Sequence, residues 1–213
     1  MRIKYPRTFH LPWSLGATSD DKTHSPAAIV EMFGGREVVV TEKMDGENTS
    51  IYSDGYTHAR SLDSAHHSSR ARLKALAAAM AHNIPEGWRV CGENVYAEHS
   101  VGYDRLTSHF YVFAIFDQYG SMLGWDEMVE WSQLLGLEVV PLLFRGVYDE
   151  KSIRETWVGQ SAFGDEGEGY VIRLADAIGA EEFRRCVAKF VRENHVQTDT
   201  HWMHSTIVPN GLV

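Results

Sequence analysis

The chain has 213 residues, 44% of them hydrophobic and 23% charged, with a formal net charge of −9. A chain of that size buries a sizeable core and fits one domain, and no apolar run approaches the roughly eighteen residues needed to span a bilayer. The opening MRIKYPRTFHLPW lacks the apolar stretch of a secretory signal, and Cys91 and Cys186 match no CxxC spacing, so the chain reads as a cytoplasmic protein with free thiols.

In chain order, EVVVTE (37–42) and NTSIYS (48–53) are β-branched runs that predict strands, and Asp54-Gly55 predicts a hairpin leading into YTHAR. Residues 68–82 are rich in Ala, Leu, Lys and Arg with apolar spacings of three and four, which predicts a helix stopped by Asn83 and Pro85. Strands are predicted again at WRVCGENVY (88–96) and FYVFAIF (110–116). A helix follows in WDEMVEWSQLLG (125–136), ended by a glycine of C-cap type. After EVVPLLF the pattern predicts a helix from Lys151 to Phe163, the strand GYVIRL (169–174) and a closing CVAKFVR (186–192). No repeat, low-complexity tract or linker divides the chain, so one α+β domain with antiparallel sheets is expected over 1–213.

The charge is unevenly spread. Residues 120–168 carry ten acids against three bases, whereas residues 60–92 carry five bases (Arg60, Arg70, Arg72, Lys74, Arg89) against two acids. An acidic total argues against broad phosphate binding, but a locally basic face at 60–92 is compatible with it, as is an ordinary solvated helix surface.

The chemistry-bearing residues also come in an order. TEKMDGENTSIY places Lys43 between a strand and the flexible Gly46, where it is either a turn charge or an amine presented to a cleft. HARSLDS then offers Arg60, and GENVYAEHSVGY places Glu93 after an apolar strand, where a carboxylate is costly without a partner. HFYVFAIFD supplies aromatics, EGEGYVIRL puts Glu166 and Glu168 at a strand entrance, and VAKFVREN sets Lys189 among apolar residues. Singly, each has a structural reading as surface charge, satisfied polar group or core.

Together the ordered set resembles the covalent nucleotidyltransferases, the superfamily of polynucleotide ligases and mRNA-capping guanylyltransferases, and within it the RNA ligase 2 type of ATP-dependent RNA ligase. EKMDGEN is similar to the nucleotidyl-lysine motif, ARS to the arginine motif, GENVYAEHSVGY and EGYVI to the two glutamate motifs, FYVFAI to the adenine-stacking motif and VAKF to the terminal lysine motif. The likeness runs from about Lys4 to about His204. It implies the ligase adenylylation fold, antiparallel sheets flanking a nucleotide cleft with peripheral helices.

The resemblance also implies an activity. Lys43 would attack the α-phosphate of ATP, the AMP would pass to a 5′-phosphate end, and a 3′-hydroxyl would displace it, as in RNA repair. Lys189 would assist at the phosphates, and Mg²⁺ (or Mn²⁺) held through Glu168 would offset their charge. Attack needs a neutral amine, although a solvated lysine has a pKa of about 10.4; Lys189, the metal or burial in the cleft would lower it. Glu93 would bind ribose hydroxyls, Arg60 ribose, phosphate or the RNA end, and Asn48 phosphate or metal-bound water; the resemblance places Glu42 beside the nucleotide as well. For the adenine platform the gap-free motif match selects Phe113, while the aspartate after Phe116 favours that residue, and strand alternation predicts the two on opposite faces.

Two departures stand out. The terminal motif usually has a second lysine two residues on, but Lys189 is followed by Phe190, Val191 and Arg192, so Arg192 either fills that role at a shifted position or leaves it open. Only 21 residues follow Arg192, too few for an oligonucleotide-binding domain, so none is expected and a partner protein would help to grip RNA. His195, His201 and His204 in that tail match no compelling metal spacing and read as surface or packing residues. A DNA ligase or capping-type enzyme and a non-catalytic nucleotide- or RNA-binding module are the alternatives. Retention of Lys43, Glu93, Glu168 and Lys189 speaks against the last, because binding alone does not require the nucleophile.

Overall fold

A computed structural model describes residues 2–62, 67–195 and 207–213. Its elements are β1 Phe9–His10, α1 Pro26–Phe33, β2 Glu37–Lys43, β3 Glu47–Tyr52, β4 Thr57–Ala59, α2 Ala71–Met80, β5 Arg89–Asn94, β6 Phe110–Phe116, α3 Trp125–Leu134, β7 Glu138–Val139, β8 Leu142–Val147, α4 Glu150–Glu155, β9 Gly169–Leu174 and β10 Val187–Val191. The strands form two five-stranded sheets, ordered β1-β10-β9-β2-β8 and β4-β3-β5-β6-β7. Most pairings are antiparallel as expected, but the edge pairs β1 with β10 and β6 with β7 run parallel.

The two sheets are joined where the nucleotidyl-lysine motif lies. β2 ends at Lys43 in one sheet and β3 begins at Glu47 in the other, so Met44, Asp45 and Gly46 carry the chain across. Gly46 is required by close approach, since a Cβ there would lie 2.6 Å from the carbonyl oxygen of Asn94. The turn is pinned from outside. The Asp45 N–H donates to the Tyr103 hydroxyl at 2.7 Å, and Asp45 Oδ2 accepts the N–H groups of Ser100 and Val101 at 2.7 and 2.8 Å. Lys43 therefore stands at the hinge between sheets rather than at a hairpin tip.

Each sheet face builds its own core. Ile51, Val90, Tyr111 and Ile115 pack with Leu73 and Ala77 of α2 and Met128 of α3. Val38, Val40, Ile172 and Ala188 pack with Ile29 and Phe33 of α1. Helix α1 went unread in the sequence, although Ser25 caps it by accepting from the Ala28 N–H and Pro26 opens it, a start signal written in SPAAIVEMF. The predicted helix from Lys151 to Phe163 stops at Glu155: Trp157 and Val158 favour extended backbone, Gly159 takes φ +84°, and the following loop turns back to Glu42. EVVPLLF divides between β7 and β8, which lie in different sheets.

Two of the five bases at 60–92, Arg70 and Arg89, are spent inside, whereas Arg60, Arg72 and Lys74 are exposed. Arg70 is buried against Glu47, which accepts from both its Nε and its terminal nitrogen. Arg89 is buried, donates to the Ile3 carbonyl and lies over the Phe116 ring at 4.1 Å. Arg72 lies over Tyr96. Cys91 and Cys186 are free and buried, in keeping with the reading of unpaired thiols. Among the described residues no helix is long and apolar enough to cross a membrane.

Candidate active site

A cavity of about 350 Å³ opens between the sheets, and its lining includes Glu42, Lys43, Asn48, Arg60, Glu93, Phe113 and Lys189. Seven of the eight residues singled out in the sequence thus meet in one place. The eighth, Glu168, is buried beside them, with Oε1 2.5 Å from Lys43 Nζ. The register explains the convergence. Lys43 pairs with Gly169 at the entrance of β9, Asn48 with Glu93, and Lys189 with Val171. Gly169 admits the approach of β10, because a Cβ there would meet the Phe190 carbonyl oxygen at 2.0 Å.

Lys43 is the charged partner in this state. Burial pushes its amine down, but the carboxylates of Glu168, Glu93 and Asp45 outweigh burial and hold it above the ordinary lysine range. This corrects the expectation that Lys189 and desolvation would leave the amine easy to deprotonate. Lys189 shifts the other way, lowered by burial and then by the charge of Lys43. Burial pushes Glu93 up to about 8, against the pull of Lys43 and helped by Glu168, Asp45 and Glu47. Glu168 is likewise raised by burial. Two buried oxygens, Asn48 Oδ1 and Glu168 Oε2, have no hydrogen-bond partner among the described residues. Such atoms are costly unless a ligand or water completes them.

The remaining predicted positions sort as follows. Phe113 lines the cavity and meets the edge of Tyr5 at 5.1 Å between centroids; Phe116 is buried and does not line it. The two rings are not on plainly opposite faces, since Tyr5 also meets Phe116 at 6.0 Å. A bulge is the cause: Cys91 pairs with Ala114 and Gly92 with Val112, leaving Phe113 as the extra residue. Gly92 permits it, because a Cβ there would sit 2.5 Å from the Phe110 ring. Glu42 lines the cavity, yet its carboxylate is held by the Ser161 hydroxyl at 2.5 Å and the Ala162 N–H at 3.0 Å. Arg60 is exposed at the cavity. Arg192 is bound to Glu166 at 2.8 Å and is absent from the cavity lining.

Sequence reasoning passed over two groups at this site. Asp45 lies inside TEKMDGENTSIY, where the sequence reading assigned it no role. His195 was read as surface or packing, yet its side chain is 11% exposed and its Nε2 lies 3.2 Å from Glu168 Oε1 and 3.6 Å from Asp45 Oδ1. Asn194, in the left-handed region at φ 56°, turns the chain after β10 and returns His195 to the cleft. No sequence spacing signals this, because its partners lie far upstream. Burial pushes Asp45 up, but the hydrogen bond and charge of His195, with Lys43, hold it below the usual carboxylate range. His201 and His204 lie outside the described residues.

The family profile for RNA ligase matches residues 36–191. Among solved structures, a lysine-to-alanine variant of Naegleria gruberi RNA ligase with ATP and Mn is similar with a TM-score of 0.65, at 17% identity over 89% of this chain and 56% of that one. A glutamate-to-alanine variant of the same ligase, also with ATP and Mn, gives 0.63 at 16% identity over 92% and 58%. A protein of Aquifex aeolicus provisionally assigned as an ATP-dependent DNA ligase gives 0.58 at 21% identity over 89% and 50%. The chain thus spans 50% to 58% of the length of these structures. No curated protein matches it. At these identities the likeness is one of fold, and the two-sheet α+β architecture is that of the ligase nucleotidyltransferases.

Proposed function

The chain belongs to the RNA ligase family, and on that premise we propose that it is an ATP-dependent RNA ligase that joins 3′-hydroxyl and 5′-phosphate ends through a covalent lysyl-AMP. The observation that carries this reading is Lys43, an amine on the wall of a cavity between two sheets, paired with Glu168 and facing a second lysine. A surface lysine has no use for such surroundings.

Lys43 Nζ attacks the α-phosphorus, the bond to the bridging oxygen breaks, and pyrophosphate leaves with its electrons. The ion pair with Glu168 has to part and the ammonium lose its proton before that attack. Lys189 offsets charge on the phosphates. Phe113 stacks the adenine, with Tyr5 bracing its edge. Glu93, protonated at neutral pH by burial, both donates to and accepts from ribose hydroxyls. Asn48, whose buried Oδ1 has no partner among the described residues, would serve the phosphate side or water on a bound metal, and Arg60 reaches from the rim to ribose, phosphate or the RNA end. Glu42, its carboxylate already held, meets the nucleotide through its backbone. In the later steps AMP passes to the 5′-phosphate and the 3′-hydroxyl displaces it.

The Naegleria structures contain ATP and Mn, and a divalent ion, Mg²⁺ or Mn²⁺, fits the oxygen-rich floor of this cleft. Glu168, buried and with an oxygen that has no partner among the described residues, is the residue best suited to hold it. When bound, the ion supplies positive charge to the α-phosphate and leaving group. Because Arg70 and Arg89 are spent inside the fold, grip on RNA falls to the exposed Arg60, Arg72 and Lys74 and to an accessory nucleic-acid-binding protein.

Incubation with α-labelled ATP, GTP or NAD⁺ and Mg²⁺ or Mn²⁺ tests the reading. Acid-labile AMP on Lys43, lost in Lys43→Ala, is expected; a chain that takes no label from any of the three overturns it. The Aquifex likeness is the reason to compare nicks carrying RNA or DNA on the 3′-hydroxyl side. Equal sealing of all-DNA nicks refutes the RNA assignment.

A further inference from the structure

We propose that Asp45, Glu168 and His195 form a three-ligand site for a divalent transition-metal ion, with His195 as the ligand that sets its preference over Mg²⁺. One nitrogen and one oxygen from each carboxylate lie within 4.8 Å of one another. Ligands about 2.1 Å from a shared ion stand about 3.0 Å apart at right angles and about 3.4 Å apart at tetrahedral angles. His195 Nε2 stands 3.2 Å from Glu168 Oε1 and 3.6 Å from Asp45 Oδ1, so small movements close the set.

The ligands are also oriented. Both N–H groups on Asp45 Oδ2 come from the backbone of Ser100 and Val101, which turns Oδ1 towards His195. Outer hydrogen bonds of this kind fix a ligating carboxylate. Glu168 is 4% exposed, and among the described residues its Oε2 has no partner. Atoms so placed are completed by a ligand or by water. Mg²⁺ takes oxygen and keeps its waters, whereas an imidazole beside two carboxylates suits Mn²⁺, Co²⁺ or Zn²⁺.

Glu168 Oε1 faces both Lys43 and His195. The ion and the Lys43 ammonium therefore compete for the same oxygen, and metal occupancy frees Lys43 from its ion pair. This deepens the ligase reading, on which the use of that freed amine rests; the site itself needs no nucleotide.

The test is an optical titration of the full chain with Co²⁺ alone, without nucleotide, and with Mg²⁺ as competitor. One Co²⁺ per chain with visible ligand-field bands is expected. Binding should weaken at least about tenfold in both His195→Ala and His195→Gln, tighten in Lys43→Met, and survive about a hundredfold excess of Mg²⁺. Thermal melts of the metal-free variants confirm that they fold. His195 variants that are folded and bind Co²⁺ as tightly as the parent overturn the proposal, as does displacement of Co²⁺ by equimolar Mg²⁺. A chain that binds Co²⁺ yet takes no AMP keeps the site and loses the ligase reading, and labelling with Mg²⁺ alone while Co²⁺ does not bind gives the reverse.

Discussion

Glu168→Gln keeps the shape of the side chain and removes the charge that holds Lys43 as an ammonium. At 2.5 Å and an effective dielectric of about 20, the gross attraction in the pair is about 7 kcal/mol. Solvent screening at Lys43, whose side chain is 26% exposed, and the remaining pull of Glu93 and Asp45 reduce that sum. A fifth of it suffices for a factor of about ten in the neutral fraction of the amine, because about 1.4 kcal/mol is one decade. The substitution should therefore raise the reactivity of Lys43 towards a small amine-acylating reagent at pH 8 by about tenfold or more. Competitive labelling followed by mass spectrometry measures it residue by residue. Lys151, whose side chain is 83% exposed, serves as the internal reference because its ion pair with Glu155 is a loose one at 3.8 Å. If Lys43 reacts equally in parent and variant while Lys151 is constant, the claim that Glu168 keeps the nucleophile charged is refuted.

Other perturbations separate the remaining parts of the argument. Phe113→Ala should weaken ATP binding by about 1–3 kcal/mol, the usual worth of a base stacked on an aromatic ring, while Phe116→Ala should act mainly on stability; equal losses of affinity in a calorimetric titration would return the platform to an open choice. Glu93→Gln should stabilise the protein at alkaline but not acid pH. Between about 4.5 and about 8 the folded Glu93 keeps a proton that the unfolded one has lost, so stability falls as pH rises through that window and the penalty is complete above it. Melting temperatures of parent and variant should coincide near pH 4 and part by several degrees near pH 9. Gly92→Ala should cost more than about 2 kcal/mol in urea unfolding, because the new Cβ meets the Phe110 ring and the Tyr111 carbonyl at 2.5 and 2.6 Å. Ser161→Ala should cost about 1–2 kcal/mol in the same assay, since the buried Glu42 carboxylate keeps only the Ala162 N–H.

Strands were the most legible part of the chain. FYVFAIF and GYVIRL were predicted to the residue, because short runs of β-branched and aromatic residues bounded by turns have few other uses. Helices were read less well. The pattern over Lys151–Phe163 carried on past Glu155 because helical spacing alone does not register that Ser161 and Ala162 are needed by Glu42. Among the bases at 60–92, Arg60, Arg72 and Lys74 are exposed, as a surface reading expects, but a count of charges is blind to Glu47 and Ile3 waiting in the fold for Arg70 and Arg89.

The order of Lys43, Arg60, Glu93, Phe113, Glu168 and Lys189 was legible in the sequence through its resemblance to the covalent nucleotidyltransferases, and these residues do gather at one cavity. What lay beyond the sequence is what depends on distance across the fold. Alternation along β6 placed Phe113 and Phe116 on opposite faces; a bulge that Gly92 permits decided otherwise. Chemistry required a neutral Lys43; the acids converging on it, Glu168 foremost, hold its amine above the ordinary lysine range. His195 carried no signal at all, since its partners are contributed by the hinge after β2 and the entrance of β9, more than a hundred residues upstream in one case. Local pattern determines which groups a strand presents, but the charge state and ligand set of a buried group are sums over neighbours from every element, and only the packed sheets bring those neighbours together.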